Sequence, residues 1–203
     1  MLVIAIDGPV GSGKSTVAEA VAARLELEHL DSGAMYRAVA LAALRRGLDV
    51  EQAPPSQMAE VAGDAIVDQD DPDLRMPAVG QVVSIVAAVP AVRAVLVQRQ
   101  RDWIAAHGGG VVDGRDIGTV VFPDADVKVY LTASEDERAR RRERDETAAD
   151  VARRDRLDST RAVSPLVVAE GAVVIDTTSR TVDDIVDEIV GLLGSTERQS
   201  GHR

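Results

Sequence analysis

The sequence predicts an α/β layer fold on a mostly parallel central sheet. Three observations carry that expectation. Short apolar runs alternate with segments of helical period along the 203 residues. The first run ends in a glycine-rich stretch, "DGPVGSGKST". Polar residues recur where such runs stop, at Asp7, Asp31, Asp113 and Thr132, the strand ends at which parallel sheets bind ligands.

Leu2 to Ile6 is apolar and bounded by Asp7-Gly8-Pro9, as a fully buried strand should be. From Ser15, Val17, Ala20, Val21 and Leu25 follow helical spacing. "LEHLDSGAMYRAVALAALRRG" repeats the scheme, with an extended piece to Leu30, a turn at Asp31-Ser32-Gly33 and a helix capped near Gly47. Residues 49 to 76 are acidic and punctuated by proline, and "DQDDPD" reads as a solvated loop. Helices are expected from about Pro77 to Ala88 and from about Ala91 to His107, the second showing Val92, Val95, Leu96, Arg99, Trp103 and Ile104 on one face, with glycines 108 to 110 stopping it. "VVDGRDIG" and "VKVYLTAS" are two further strands, the latter feeding a helix with a capping box of Ser134 and Glu137. "AVVIDTTS" is the last strand. Thr181 to Leu193 is an amphipathic helix ended by Gly194, and a disordered tail is expected over 195–203.

Composition narrows the chemistry. There are no cysteines, so thiol nucleophiles, disulfides and thiolate metal sites are excluded, and three histidines are too scattered for a metal cluster. A net charge of −11, with one tryptophan, two tyrosines and one phenylalanine for stacking, argues against a nucleic-acid binder. No stretch reaches a membrane span and the start carries no basic leader, so a cytoplasmic protein is expected. The charge is uneven: residues 136 to 161 hold nine arginines against eight acids.

Gly8, Gly13, Lys14 and Ser15 satisfy G-x-x-x-x-G-K-[ST] between a strand and a helix, the context in which that pattern binds phosphate. The loop residues Gly8, Pro9, Val10, Gly11, Ser12 and Gly13 to Thr16 would surround the phosphates, with backbone N–H groups from all but Pro9, while Lys14 would neutralise their oxygens and Ser15 would ligate Mg²⁺. Such a loop serves switches, motors and kinases alike. A second cluster, Asp31, Ser32, Tyr36 and Arg37, lies at the next strand end, where Asp31 or Ser32 could equally be a helix cap. "DGRDIG" adds Arg115 and Asp116 at the same sheet edge, with Asp113 either a Mg²⁺ ligand through water or a turn residue. The arginine-dense segment, including Arg153, Arg154, Arg156 and Arg161, is either a solvated face or a lid over the loop.

"IDGPVGSGKST", "LDSGAMYRA", "SIVAAVPAVR", "DGRDIGTVVFPDADVKVYLTAS" and "RRDRLDSTRAVSPL", in this order, resemble the bacterial cytidylate kinases across nearly the whole chain. The resemblance implies a P-loop three-layer fold in one kinase domain. Its core would span 1–48, 90–135 and 162–194, with a small monophosphate-binding insert at about 49–89 and an arginine-rich lid at about 136–161. It implies transfer of the γ-phosphoryl group of ATP to CMP or dCMP with Mg²⁺, by a monomer without nucleic-acid or membrane partners. Lys14, Arg115, Arg154 and Arg161 would be catalytic, and Arg142 would reach ATP. Arg37, Arg115 and Arg154 would bind the acceptor phosphate or the transferring group. Ser32 and Tyr36, with Asp31 beside them, would line the monophosphate site, and Asp158 with Arg161 would reach the ribose and phosphate. Ser84, Arg93 and Asp116 would face the cytosine. A carboxylate accepts from its 4-amino group and repels the carbonyl that uracil carries there. Between Gly63 and Arg75, and between Arg142 and Arg153, the chain is shorter than the family pattern, which predicts poorer exclusion of water and more ATP hydrolysis without acceptor. A kinase for UMP or AMP and a nucleotide-dependent switch are the alternatives.

Overall fold

The computed structural model describes residues 1–68, 71–142, 153, 155–158 and 166–200, apart from the side chains of 142 and 195–200. Arg154, Arg161 and most of the expected lid therefore lie outside the described residues. Five strands form one parallel sheet in the order β2-β3-β1-β4-β5: β1 (Leu2–Asp7), β2 (His29–Asp31), β3 (Gly109–Gly114), β4 (Val127–Thr132) and β5 (Val173–Asp176). β1 is central. Its alternation divides the protein into three layers. Val3 and Ala5 face a core built with α2 (Ser32–Arg45), α3 (Pro55–Asp64), α4 (Pro77–Ala88) and α5 (Pro90–His107). Ile4 and Ile6 face the opposite core, with α1 (Lys14–Leu25) and the C-terminal helix α7 (Val182–Ser200). α6 (Glu135–Arg142) follows β4.

Two expectations are corrected, and two elements appear that the sequence did not announce. α3 lies within residues 49–76, ahead of the "DQDDPD" stretch. Met58, Val61 and Ala62, at i, i+3 and i+4, are wholly buried, and each large apolar side chain so placed contributes about 1.5–3 kcal/mol. Arg99 of α5 donates to the Ala62 and Ala65 carbonyls at the end of α3, at 2.9 and 3.0 Å. Gly194 does not end the last helix, which continues to Ser200, so the expected disordered tail begins as helix. An interior glycine costs only about 1 kcal/mol relative to alanine, less than the burial of Ile185, Val186 and Ile189 returns to the helix. The Ser134 cap forms only in one direction. Its Oγ accepts from Glu137 N at 3.3 Å, but Ser134 N donates to Thr178 Oγ1 and the Glu137 carboxylate is taken by Arg140 and Arg141. Beyond β3 the chain forms a π-helical turn, Ile117–Val121, that no local pattern announced. As expected, Gly47 follows α2 with φ +69, and the amides of Gly47 and Leu48 close the helix end on Leu44 and Ala43.

Candidate active site

The Gly8–Thr16 loop joins β1 to α1 at the central strand's carboxyl end. Gly13, the N-cap of α1, has φ +90 and offers no side-chain cap, which leaves the helix's first N–H groups for another acceptor, an arrangement that attracts anions. Gly8 packs so closely on β4 that a Cβ there would sit 2.1 Å from the Leu131 carbonyl oxygen. Lys14 Nζ folds back to donate to the Pro9 carbonyl at 2.8 Å. Burial, and then the nearby Arg115, push the Lys14 amine well below the usual lysine range, and an anion brought beside it would act against that shift by favouring the charged form.

Side chains from distant segments brace this loop. Arg141 of α6 donates to Thr177 O at 2.8 Å, to Thr177 Oγ1 at 2.9 Å and to Gly11 O at 3.4 Å, while Thr177 Oγ1 donates to Ser12 O at 3.0 Å. Arg138 donates to Val10 O at 3.1 Å and pairs with Asp155, which accepts from Val10 N at 3.0 Å. Both backbone polar atoms of Val10 are thereby held by one ion pair. Neither Thr177 nor Asp155 was singled out from sequence, although a hydroxyl just beyond β5 stands at the same sheet edge as Asp7 and Asp113.

Opposite the loop, the second cluster forms one wall. Asp31 caps α2 by accepting from Ala34 N at 3.0 Å, and burial followed by the charge of Asp113 raises its carboxyl pKa. Ser32 Oγ donates to Asp113 O at 2.7 Å. Arg37 donates to Leu74 O at 3.3 Å, which ties it to the Pro72–Arg75 turn. Asp113 sits between Ser15, whose Oγ donates to Oδ2 at 2.9 Å, and His29, whose Nε2 is 2.8 Å from Oδ1. Burial pulls the His29 imidazole down, but its hydrogen bond and attraction to Asp113 prevail and its pKa rises. Its partnership with Asp113 was not expected from sequence. Arg93 is only 4% exposed, lies 5.6 Å from the centre of the Tyr36 ring, donates to Ala87 O at 3.3 Å and pairs with Asp116. Arg115 donates to Asp158 at 3.0 Å, and Ser84 Oγ donates to the other Asp158 oxygen at 3.3 Å. Burial acts against the Arg115 charge, but Asp158 outweighs it and raises its pKa.

One cavity of about 590 Å³ joins the two sides. Val10, Gly11, Gly13, Lys14, Ser15 and Thr16 line it from the loop, and Asp31, Ser32, Tyr36, Arg37, Ser84, Arg93, Asp113, Arg115, Asp116 and Asp158 line it from the other walls. Arg141 and Arg153 also reach it. Gly8, Pro9 and Ser12 support the loop from outside the lining. Arg154, Arg161 and the Arg142 side chain lie outside the described residues.

A phosphate loop on a parallel sheet, opening onto a cup of guanidinium and carboxylate groups, defines a P-loop phosphotransferase. Solved structures of like fold include a gluconokinase from Sinorhizobium meliloti, 17% identical, with coverage of 98% of this chain and 95% of that one and a TM-score of 0.53. Shikimate kinase from Acinetobacter baumannii is 18% identical, with 96% and 94% coverage and a TM-score of 0.51. Sequence narrows the class, because residues 4–195 match the cytidylate kinase family. The cytidylate kinase of Pelotomaculum thermopropionicum is 46% identical over 222 aligned residues, 97% of each chain, and that of Rhodococcus opacus is 45% identical over 215, 93% of each. The chain belongs to the cytidylate kinase family and is an ATP-dependent phosphotransferase. The 222-position alignment is longer than this chain of 203, so the Pelotomaculum relative carries residues this one lacks.

Proposed function

We propose that the cavity holds ATP at the Gly8–Thr16 loop and CMP or dCMP against Arg37, Arg115 and the Arg93–Asp116 pair, and that these residues bring the two phosphate chains into line. The supporting observation is that Lys14 and the acceptor-side cations line one cavity. An oxygen of the ionised acceptor phosphate attacks the γ-phosphorus, the bond to the β–γ bridging oxygen breaks, and ADP leaves with that electron pair. No protein base is required. Lys14 and Arg115 neutralise the oxygens as charge shifts between them, which is where this chemistry gains most. Arg154 and Arg161 add cations from the lid, and Arg142 takes part on the ATP side. Asp158, fixed by Ser84 and Arg115, turns toward the ribose. Asp31, Ser32 and Tyr36 complete the monophosphate wall. At the base, Arg93 donates and Asp116 accepts, which matches the acceptor and 4-amino donor edge of cytosine and opposes the reversed edge of uracil.

Ser15 Oγ and Asp113 Oδ2, 2.9 Å apart, are hard oxygen donors suited to Mg²⁺. Among the described residues no group of three or more His, Cys, Asp or Glu side chains could cage a metal. The ion would then be held mainly by phosphates and water, with Ser15 as direct ligand and Asp113 acting through water. Bound there, it would supply positive charge to the phosphate oxygens. One chain supplies both sides of the cavity, so a monomer suffices, working in the cytoplasm where its nucleotides are. No single helix among the described residues is long and apolar enough to cross a membrane. ADP release measured across CMP, dCMP, UMP, AMP and GMP tests the reading. CMP and dCMP should far outrun the others, and equal rates with UMP would refute base reading by Asp116. The short segments predict measurable ATP hydrolysis without acceptor.

A further inference from the structure

Asp7 is 3% exposed and takes no direct part in the reaction outlined above, yet it closes the structure around the acceptor-side residues. Its two carboxylate oxygens each accept one backbone hydrogen bond, Oδ1 from Ile117 N and Oδ2 from Gly118 N, both at 2.8 Å. In the sheet, Asp7 is also the register partner of Gly114. Arg115 and Asp116 therefore form a two-residue bridge whose two ends are anchored to the same residue. The Ile117–Val121 turn has Asp116 at its N-terminal cap position, but the Asp116 side chain makes no cap bond. Asp7 supplies the acceptors that a capping side chain normally provides, which leaves the Asp116 carboxylate available to Arg93.

We propose that Asp7 is a positioning residue for the acceptor nucleotide, holding the bridge that presents Arg115 and Asp116. The inference rests on the acceptor-site reading above. Charged and titratable groups around Asp7 are Lys14 from α1, Asp116 from the bridge and Tyr130 from β4. Burial raises the Asp7 carboxyl to about 6, against the hydrogen bonds from Gly118 and Ile117. Protonation converts one acceptor oxygen into a donor that faces an amide N–H, so one of the two anchors is lost.

Asp7→Asn reproduces that loss at every pH while keeping the volume and removing a buried charge, so the protein should fold. At pH 8 it should weaken CMP binding about tenfold, measured by calorimetry, and leave a non-hydrolysable ATP analogue within about twofold of the parent, a split of about 1.4 kcal/mol. Lowering the pH through about 6 should bring the parent toward the variant, so that their CMP affinity ratio approaches one. Titration of the CMP phosphate falls in the same range but cancels in that ratio. Unchanged CMP affinity at pH 8, equal weakening of both nucleotides, or a ratio independent of pH would each overturn the proposal. If Asp116→Ala loses CMP and Asp7→Asn does not, only the role of Asp7 fails. If Asp116→Ala also binds CMP normally, the acceptor-site reading itself fails.

Discussion

Replacing Asp116 by alanine tests stability and substrate recognition together. It leaves the Arg93 guanidinium, 4% exposed, with the Ala87 carbonyl at 3.3 Å and the Tyr36 ring, and without its carboxylate. Removing one partner of a buried ion pair costs about 3–5 kcal/mol, because the remaining charge has lost its compensation without regaining water. For a chain of this size each kcal/mol moves the melting temperature by about 2–4 °C, so a fall of roughly 10 °C is expected. Asp116→Asn keeps one acceptor for Arg93 and should lose about half as much. On the proposed substrate side, where Asp116 accepts from the 4-amino group, Asp116→Ala should raise KM for CMP by about 10- to 100-fold, with KM for ATP changed less than about threefold. Scanning calorimetry and coupled ADP-release kinetics at a temperature where both variants are folded give the two readings. A melting temperature within about 2 °C of the parent would show that the pair carries no such energy. Equal rises in both KM values would refute base recognition by Asp116.

Arg141→Ala removes the brace from Thr177 to Gly11, and we expect about a tenfold rise in KM for ATP with KM for CMP nearly constant; steady-state kinetics in both substrates checks this. Gly8→Ala would place a Cβ 2.1 Å from the Leu131 carbonyl oxygen, so the loop must shift. That should cost about 3 kcal/mol in a denaturant titration and abolish tight ATP binding. Asp7 predicts a pH dependence of stability. Because its pKa is raised from 3.8 to about 6, the folded state keeps a proton that the unfolded chain has already released in that interval. Stability from this group is therefore highest below about pH 4 and falls by about 3 kcal/mol as pH rises through 6, and Asp7→Asn should flatten that interval in urea titrations.

What could be read from the sequence was local. The P-loop pattern, the strand ends at Asp7, Asp31, Asp113 and Thr132, and the helices α4 and α5 all announce themselves within a dozen residues, and the structure has them. α3 was hidden because Pro54-Pro55 and the surrounding acids outweighed the i, i+3, i+4 signal of Met58, Val61 and Ala62, although proline is at home in a first helical turn. The π-helical turn was beyond reach, since its anchor is a carboxylate 110 residues away. The same holds within the site. Arg37, Arg115 and Asp116 could be named from their motifs, whereas the pairing of His29 with Asp113, and of Arg138 and Asp155 around Val10, depends on a strand order that no single segment encodes. Glu137 fits a capping-box pattern, yet two arginines on its own helix compete better for it.

The double attachment of Asp7 has an evolutionary consequence. On the reading proposed above, β1 leads into the donor loop at Gly8 and also grips the acceptor bridge, so the gap across which phosphate must travel is gauged by the rigid centre of the sheet. Peripheral segments can then gain or lose residues across lineages without resetting that gap, and a chain shorter than its relatives can keep their reaction.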